Sequence, residues 1–234
     1  MNKEQIDEYK NFAKQKLGVE FDDIQLLITA LTHRSYMNEH RKSVSAHNER
    51  LEFLGDAVLE MVTSDFLYRN YDEAEGIMTS WRAALVRTES IGEAGVRLGF
   101  DPLVRLSKGE RRGSERAHQV ILADCFEAVV GAVYLDQGYK AAEKVIIENI
   151  LVTMDRILES ESWRDAKSHL QELAQRNDGV TPVYKVLKEE GPDHEKRFTV
   201  GVFVAGKLKG TGTGHSKQEA QTVAATEAID KYKG

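Results

Sequence analysis

Two long apolar segments of the sequence carry acidic side chains where a buried helix normally has none. The first is residues 47–69, HNERLEFLGDAVLEMVTSDFLYR, and the second is residues 120–136, VILADCFEAVVGAVYLD. An ionised carboxylate is costly to hold away from water unless a positive group meets it. The two segments therefore predict apolar helices whose acids meet a cation. The acids concerned are Glu49, Glu52, Asp56, Asp124 and Glu127.

Four of these acids form two pairs. At about 100° per residue, Glu52 and Asp56 differ by about 40° around one helix, and Asp124 and Glu127 by about 60° around the other. If the helices pack side by side, these four carboxylates, called the four acids below, can converge on a hard, oxygen-preferring ion such as Mg²⁺. The pattern indicates a metal site with all four as ligands, an arrangement suited to phosphodiester cleavage.

Other roles for the acids stay open at this point. Any single acid can instead form a structural salt bridge with Arg50, Arg82 or Arg87. That alternative is weaker for the second pair, because no basic residue lies between Val120 and Leu135. A carboxylate-bridged di-iron protein is a further alternative, but such sites use Glu-x-x-His pairs, and the acid motifs here lack the imidazole.

Three other reactive side chains receive less weight. His33 and His47 can act as general bases, but hydrogen-bonding or capping roles are favoured because a metal ion activates water without a histidine. Cys125 is the only cysteine and lies between Ala123 and Phe126, so it is interpreted as a small buried hydrophobic residue rather than a nucleophile.

Length and composition predict a globular protein of two domains. The chain has 234 residues, of which 41% are hydrophobic, enough for two cores. The first residues, MNKEQIDEYKNFAKQKLG, are charged throughout, and no stretch approaches the ~20 apolar residues that a membrane span needs. We therefore expect a soluble, cytoplasmic protein without a membrane partner.

The charge is distributed unevenly along the chain. The net charge is −6, but residues 165–234 carry +1 and the remainder carries −7. An acidic first part followed by a near-neutral second part is compatible with a metal-dependent catalytic domain and a nucleic-acid-binding module whose basic residues share one face.

The periodicity of the sequence changes near residue 160. The first part predicts successive helices, so residues 1–158 are expected to form an all-α domain. Residues 159–164 are the predicted linker. Residues 165–234, with Asp165 as an N-cap, have the order α-β-β-β-α of a small α+β domain. The helices predicted for the first domain are 3–17, 23–32, 48–69, 77–98, 119–135 and 139–158; the predicted strands are 183–189, 197–204 and 207–213, followed by a helix at 216–232.

Both parts resemble known families. The string HNERLEFLGDAVLEMV, preceded by ALTHRSY and followed by ILADCFEAVVGAVYLD, resembles the catalytic domain of bacterial ribonuclease III. The second part, with LQELAQ, GPDHEKRF and GTGTGHSKQEAQTVAA in order, is similar to a double-stranded-RNA-binding domain. Together the two resemblances cover nearly the whole chain.

The resemblance implies a Mg²⁺-dependent endonuclease of double-stranded RNA that acts as a homodimer, with Mn²⁺ as a substitute ion. It implies that the four acids bind metal and that Asp56 and Glu127 are the catalytic residues, with Glu127 orienting the attacking water. It also implies that Glu49 lies at the edge of the site and that Glu75 reaches the partner's site. Products with 5′-phosphate and 3′-hydroxyl ends and short 3′ overhangs are expected. The implied substrates are ribosomal RNA precursors and other structured transcripts.

The resemblance also implies RNA contacts in the second domain. Minor-groove contacts are expected from Ser168, Gln171 and Glu172, a loop contact from His194, and a phosphate contact from Lys217. Where many relatives have a run of lysines, this chain has SKQEAQ, so a modest phosphate affinity and a shallow salt dependence are expected.

Two further alternatives were weighed. The glycine-rich string GTGTGHSK is not a nucleotide-binding loop, because its lysine follows the serine, so no nucleotide cofactor is expected. A non-catalytic binder of duplex RNA, with a nuclease-like domain used only for dimerisation, is disfavoured because all four acids are present.

Overall fold

The computed structural model describes residues 1–160, 163, 165–192 and 196–233, without the side chains of Ser160 and Lys233. The chain divides into two compact units, Met1–Trp163 and Arg164–Gly234. Each unit has its own hydrophobic core and is described by itself.

Helices build the first unit. A π-helical turn, Ala13–Leu17, extends the first helix, and short 3₁₀ turns lie at Glu110–Arg112 and Leu151–Thr153. The α-helices are α1 (Lys3–Phe12), α2 (Ile24–Ala30), α3 (Arg34–Glu39), α4 (Glu49–Asn70), α5 (Glu75–Leu85), α6 (Thr88–Leu98), α7 (Glu115–Gln137), α8 (Tyr139–Asn149) and α9 (Met154–Ser160).

Helix α7 is the centre of this unit. It packs against α2, α4, α6 and α8, and its middle, from Ile121 to Val133, is almost entirely buried. By length and composition alone α7 could cross a membrane, which the sequence analysis did not anticipate. A buried core helix passes the same test, so the finding is weak support for a membrane span.

Two predicted helices are each divided in the structure. The predicted helix 77–98 is wrong as one element, because the backbone extends at Arg87 (φ −68°, ψ 151°) between α5 and α6. Ser90 stabilises this break by donating a 2.9 Å hydrogen bond to the carbonyl of Ala84. The predicted helix 139–158 is divided by the 3₁₀ turn, where Thr153 Oγ1 donates to the carbonyl of Ile150. Helix α3 was not predicted.

The segment between the two units is only partly described. Residues 161, 162 and 164 of the predicted linker 159–164 lie outside the described residues. Trp163 belongs to the first unit, where its ring packs edge-on against that of Trp81 with 5.8 Å between centroids. The predicted domain limits stay a prediction.

The second unit has the predicted order α-β-β-β-α. Helix α10 (Ala166–Asp178) is capped by Asp165, as predicted. The carboxylate of Asp165 accepts a 2.8 Å hydrogen bond from the Ser168 N–H. The antiparallel sheet has the order β1-β2-β3, and α11 follows it. The remaining bounds are β1 (Val183–Glu190), β2 (Arg197–Val204), β3 (Lys207–Gly214) and α11 (Lys217–Lys233).

Close backbone packing joins α11 to the sheet. A Cβ atom added at Gly212 of β3 would lie 2.3 Å from the carbonyl oxygen of Ala220, and one added at Gly210 would lie 2.3 Å from that of Ala224. Glycines on the strand and alanines on the helix therefore let the two elements approach without intervening side chains. This packing fixes the start of α11, where Lys217 lies.

Candidate active site and RNA-binding surface

Helices α4 and α7 cross in direct backbone contact. A Cβ atom added at Gly55 would lie 1.7 Å from the carbonyl oxygen of Glu127, and one added at Gly131 would lie 2.3 Å from that of Leu51. No side chain larger than hydrogen fits at either position. The sequence analysis missed these two glycines, although a glycine inside an apolar helical pattern signals close packing.

A buried residue anchors the start of α4 beside the same part of α7. The backbone N–H of Asn48 donates to the carbonyl of Thr32, and its side-chain amide lies 3.8 Å from the sulfur of Cys125 as a donor. Cys125 is free and fully buried, as predicted, and burial raises the pKa of its thiol. The contact joins the start of α4 to α7 at the residue that follows Asp124.

The crossing brings the four acids into one electrostatic group. Burial raises the pKa of Glu127 to about 8, with further contributions from the charges of Asp56, Glu52 and Asp124. Burial also raises the pKa of Glu52 to about 7, with contributions from Asp124, Glu49 and Asp56. The charges of each pair therefore act on the other pair across the helix interface. Convergence of the four acids on one ion stays a prediction.

The histidine nearest to this group has a structural role as well. Burial raises the pKa of Asp124, while the charge of His33 opposes that rise. His33 caps α3, since its Nδ1 accepts a 3.3 Å hydrogen bond from the Ser35 N–H. The capping role predicted for His33 is confirmed. His47 Nδ1 lies 3.9 Å from a carboxylate oxygen of Glu49.

The structural salt-bridge alternative fails for the four acids. Within the described ranges, none of the four forms a salt bridge or a side-chain hydrogen bond. Arg82 pairs with Glu60 at 2.9 Å instead, and Arg87 donates to Ser90. Glu49 differs, because Arg34 lies 3.2 Å from its carboxylate.

The donor set fits a hard divalent cation. It consists of carboxylate oxygens alone, from the partly buried Glu52, Asp124 and Glu127 and the exposed Asp56, and no described basic side chain pairs with them. Among the residues that the structure describes, no three His, Cys, Asp or Glu side chains lie close enough together to hold a metal ion without moving. Like charges keep the four carboxylates apart, so to hold an ion they would have to rotate toward one another.

Glu75 lies apart from the four acids. It is the exposed first residue of α5, and its carboxylate accepts a 3.0 Å hydrogen bond from Thr79 Oγ1. It borders a surface depression with Met61 and Tyr68 of α4. Its predicted role in the site of a partner subunit stays a prediction.

The residues predicted to read RNA lie on the surface of the second unit. Ser168, Gln171 and Glu172 are exposed on one face of α10, and the first two line a depression that Gln221 of α11 also borders. His194 lies outside the described residues. The face of α10 is therefore available for the predicted minor-groove contacts.

Lys217 already has a partner in the protein. As the first residue of α11, its ammonium nitrogen lies 3.4 Å from a carboxylate oxygen of Glu189 and 5.5 Å from the centre of the Phe198 ring. Nearby, the N–H of His215 donates a 2.7 Å hydrogen bond to Glu219. The pairing of Lys217 with Glu189 was not predicted from the sequence, which indicated only a phosphate contact for this lysine.

Comparison with known proteins identifies both units. The family model described as ribonuclease-III-like matches residues 23–154, and the double-stranded RNA binding motif matches residues 166–232. The Ribonuclease 3 of Pelotomaculum thermopropionicum is 46% identical over 219 residues, which cover 93% of this chain and 91% of that protein.

The chain belongs to the ribonuclease III family. The Ribonuclease 3 of Desulforamulus reducens is 41% identical over 229 residues, which cover 97% of this chain and 93% of that protein. The nuclease domain of ribonuclease III from Campylobacter jejuni has a TM-score of 0.53 and 35% identity, covering 64% of this chain and 99% of that chain.

Membership in the ribonuclease III family establishes the activity. The chain is an endoribonuclease of double-stranded RNA with a nuclease domain and a duplex-binding domain. Ribonuclease III enzymes depend on a metal ion. The alternative of a non-catalytic duplex-RNA binder is therefore not supported.

Substitution at the helix crossing should disturb this ribonuclease III domain. Gly55→Ala places a methyl group against the carbonyl of Glu127, so we expect a loss of at least about 1–3 kcal/mol of stability and a loss of cleavage. Thermal unfolding and a cleavage assay measure both effects. Gly76→Ala is the matched control, because nothing lies within 4 Å of its added Cβ. Equal stability of the two variants would contradict the close crossing.

Without metal, the stability of the domain should fall as pH rises. The folded-state pKa of Glu127 lies near 8 against an ordinary value of 4.5, so between these values the folded state retains a proton that the unfolded state releases. This contribution to the free energy of unfolding is therefore fully present below the ordinary pKa of 4.5 and is lost as the pH rises toward 8. Unfolding temperatures in a chelating buffer measure this trend. Glu127→Gln should flatten it, and an equally steep trend in that variant would contradict the assignment.

Proposed function

We propose that the enzyme cleaves double-stranded RNA with Mg²⁺, or Mn²⁺ as a substitute, held by the four acids Glu52, Asp56, Asp124 and Glu127. The observation that carries the proposal is the electrostatic group at the helix crossing, where the pKa of Glu52 and Glu127 rises and no described basic side chain pairs with any of the four. A divalent cation supplies the missing positive charge.

The two catalytic residues come from different helices. When bound, Mg²⁺ supplies an activated water and neutralises the charge on the leaving oxygen. Glu127 is partly buried on α7, where its carboxylate would both bind the ion and orient the attacking water. Asp56 is exposed on α4 beside Gly55, so its carboxylate is accessible to the substrate backbone.

The second unit delivers the duplex. Ser168, Gln171 and Glu172 of α10 contact the minor groove, His194 adds a loop contact, and Lys217 contacts phosphate. The exposure of the α10 face supports this assignment. The products carry 5′-phosphate and 3′-hydroxyl ends with short 3′ overhangs. The substrates are ribosomal RNA precursors and other structured transcripts in the cytoplasm.

The enzyme acts as a homodimer. Helix α4 exposes Phe53, Met61 and Tyr68 by 83%, 50% and 77%, within an arc of about 80° on one side. Such an exposed apolar stripe favours burial against another protein surface. A second copy is the proposed occupant, and the Campylobacter jejuni nuclease domain is described as having a region involved in dimer formation. Glu75 borders this stripe, which supports its role in the partner's site.

Removing the carboxylate of Glu127 should separate binding from cleavage. We expect Glu127→Gln to lower the cleavage rate about 100-fold or more, because a carboxylate that would bind the ion and orient the attacking water is lost, while duplex affinity stays nearly unchanged. The assay uses a labelled long duplex with Mg²⁺, with mapping of product ends. Glu115→Gln on the same helix is the matched control and should cleave normally. Wild-type cleavage by Glu127→Gln would refute the assignment, and Ca²⁺ in place of Mg²⁺ should permit binding without turnover.

A charge in the apolar stripe should weaken the dimer. The wild-type protein is expected to sediment at twice its chain mass of 26.3 kDa. Phe53→Arg should shift the population toward the monomer, because it places a cation in the contact. Val96→Arg, at a residue exposed by 62% on α6, is the control and should remain dimeric. Sedimentation velocity distinguishes these states, and a monomeric wild-type protein would exclude the proposed dimer.

A further inference from the structure

An acidic residue of the RNA-binding unit faces two lysines. Glu189 lies near the end of β1, and its carboxylate is 3.4 Å from Lys217 at the start of α11 and 3.4 Å from Lys196 just before β2. Both ammonium groups also lie over the Phe198 ring, at 5.5 and 5.9 Å from its centre. One carboxylate and one aromatic face thus hold both cations in the same place.

Glu189 is ionised in this arrangement. Desolvation tends to raise the pKa of its carboxyl group, but the contacts with Lys217 and Lys196 outweigh that effect and lower it. The carboxylate therefore keeps its negative charge at neutral pH. Lys217 therefore pairs with an anion of the protein itself before any RNA phosphate reaches it.

The start of α11 has a second internal acid. Glu219 accepts the His215 N–H, and its own N–H donates to Ser216 Oγ, which closes the first turn of the helix. A phosphate approaching this end meets a lysine and an amide that both have acidic partners. Its negative charge would also lie beside the carboxylate of Glu189, and like charges at such separations repel.

We propose that Glu189 sets the duplex affinity of the RNA-binding unit by acting as an internal substitute for phosphate on Lys217. Binding of RNA requires Lys217 to exchange the carboxylate for a phosphate oxygen, so the net gain from this contact is reduced. The paired lysine also releases fewer counterions when RNA binds, which makes the salt dependence shallower. The inference rests on the proposed phosphate contact of Lys217.

The test compares Glu189→Gln with Glu190→Gln in the full chain. Both changes remove one negative charge from β1, but Glu190 pairs with Lys188 at 2.6 Å. Anisotropy of a labelled RNA duplex of about 20 base pairs, longer than the ~16 that one such domain spans, reports affinity. A chelating buffer prevents cleavage, and the salt concentration is varied.

Glu189→Gln should bind about two- to fivefold more tightly than Glu190→Gln, the scale of one exposed ion pair. The slope of log affinity against log salt should steepen by up to about one, as for one additional phosphate contact. An equal gain in both variants, or weaker binding by Glu189→Gln, would overturn the proposal. Unfolding temperatures confirm that both variants are folded.

A double-mutant cycle with Lys217→Gln identifies the lysine through which Glu189 acts. Lys217→Gln alone should weaken binding, and Glu189→Gln should add little in that background. If Lys217→Gln leaves affinity unchanged, the phosphate contact itself is wrong, and the proposal fails with it. If Lys217→Gln weakens binding but the gain from Glu189→Gln persists in the double variant, only the proposed action of Glu189 through Lys217 fails.

Discussion

The contact between Gly55 and Gly131 determines the geometry of the nuclease domain. Because neither residue has a side chain, α4 and α7 approach until backbone atoms touch, and their rotation and register are fixed together. Glu52 and Asp56 flank one glycine, and Asp124 and Glu127 precede the other along α7. The position of every acid therefore follows from one helix crossing, which the buried contact of Asn48 with Cys125 supports.

The same crossing explains why the acids are unfavourable in the protein by itself. Apolar packing around α7 partly removes Glu127 and Glu52 from water, and each is surrounded by other acids rather than by arginines. Burial without a partner raises the free energy of the charged state. The fold thus accepts a local loss of stability at the proposed cation site, and the large core of the domain offsets that loss.

Local sequence patterns predicted the acid pairs well, because carboxylates three or four residues apart on an apolar helix must share a face. They could not predict the break at Arg87, where apolar periodicity continues through a backbone turn that Ser90 stabilises. They also missed the glycine crossing and the pairing of Lys217 with Glu189. Both depend on residues far apart in the chain, which meet only once the tertiary structure has formed.

Both tryptophans of the chain, Trp81 and Trp163, lie in one edge-to-face pair within the first unit. Indole emission consequently reports on the nuclease domain alone. It is also sensitive to separation of the Trp163 ring from the Trp81 ring. Unfolding of the RNA-binding unit is silent at these wavelengths and has to be followed through its tyrosines or its circular dichroism. A fluorescence melt of this enzyme therefore describes only one of its two domains.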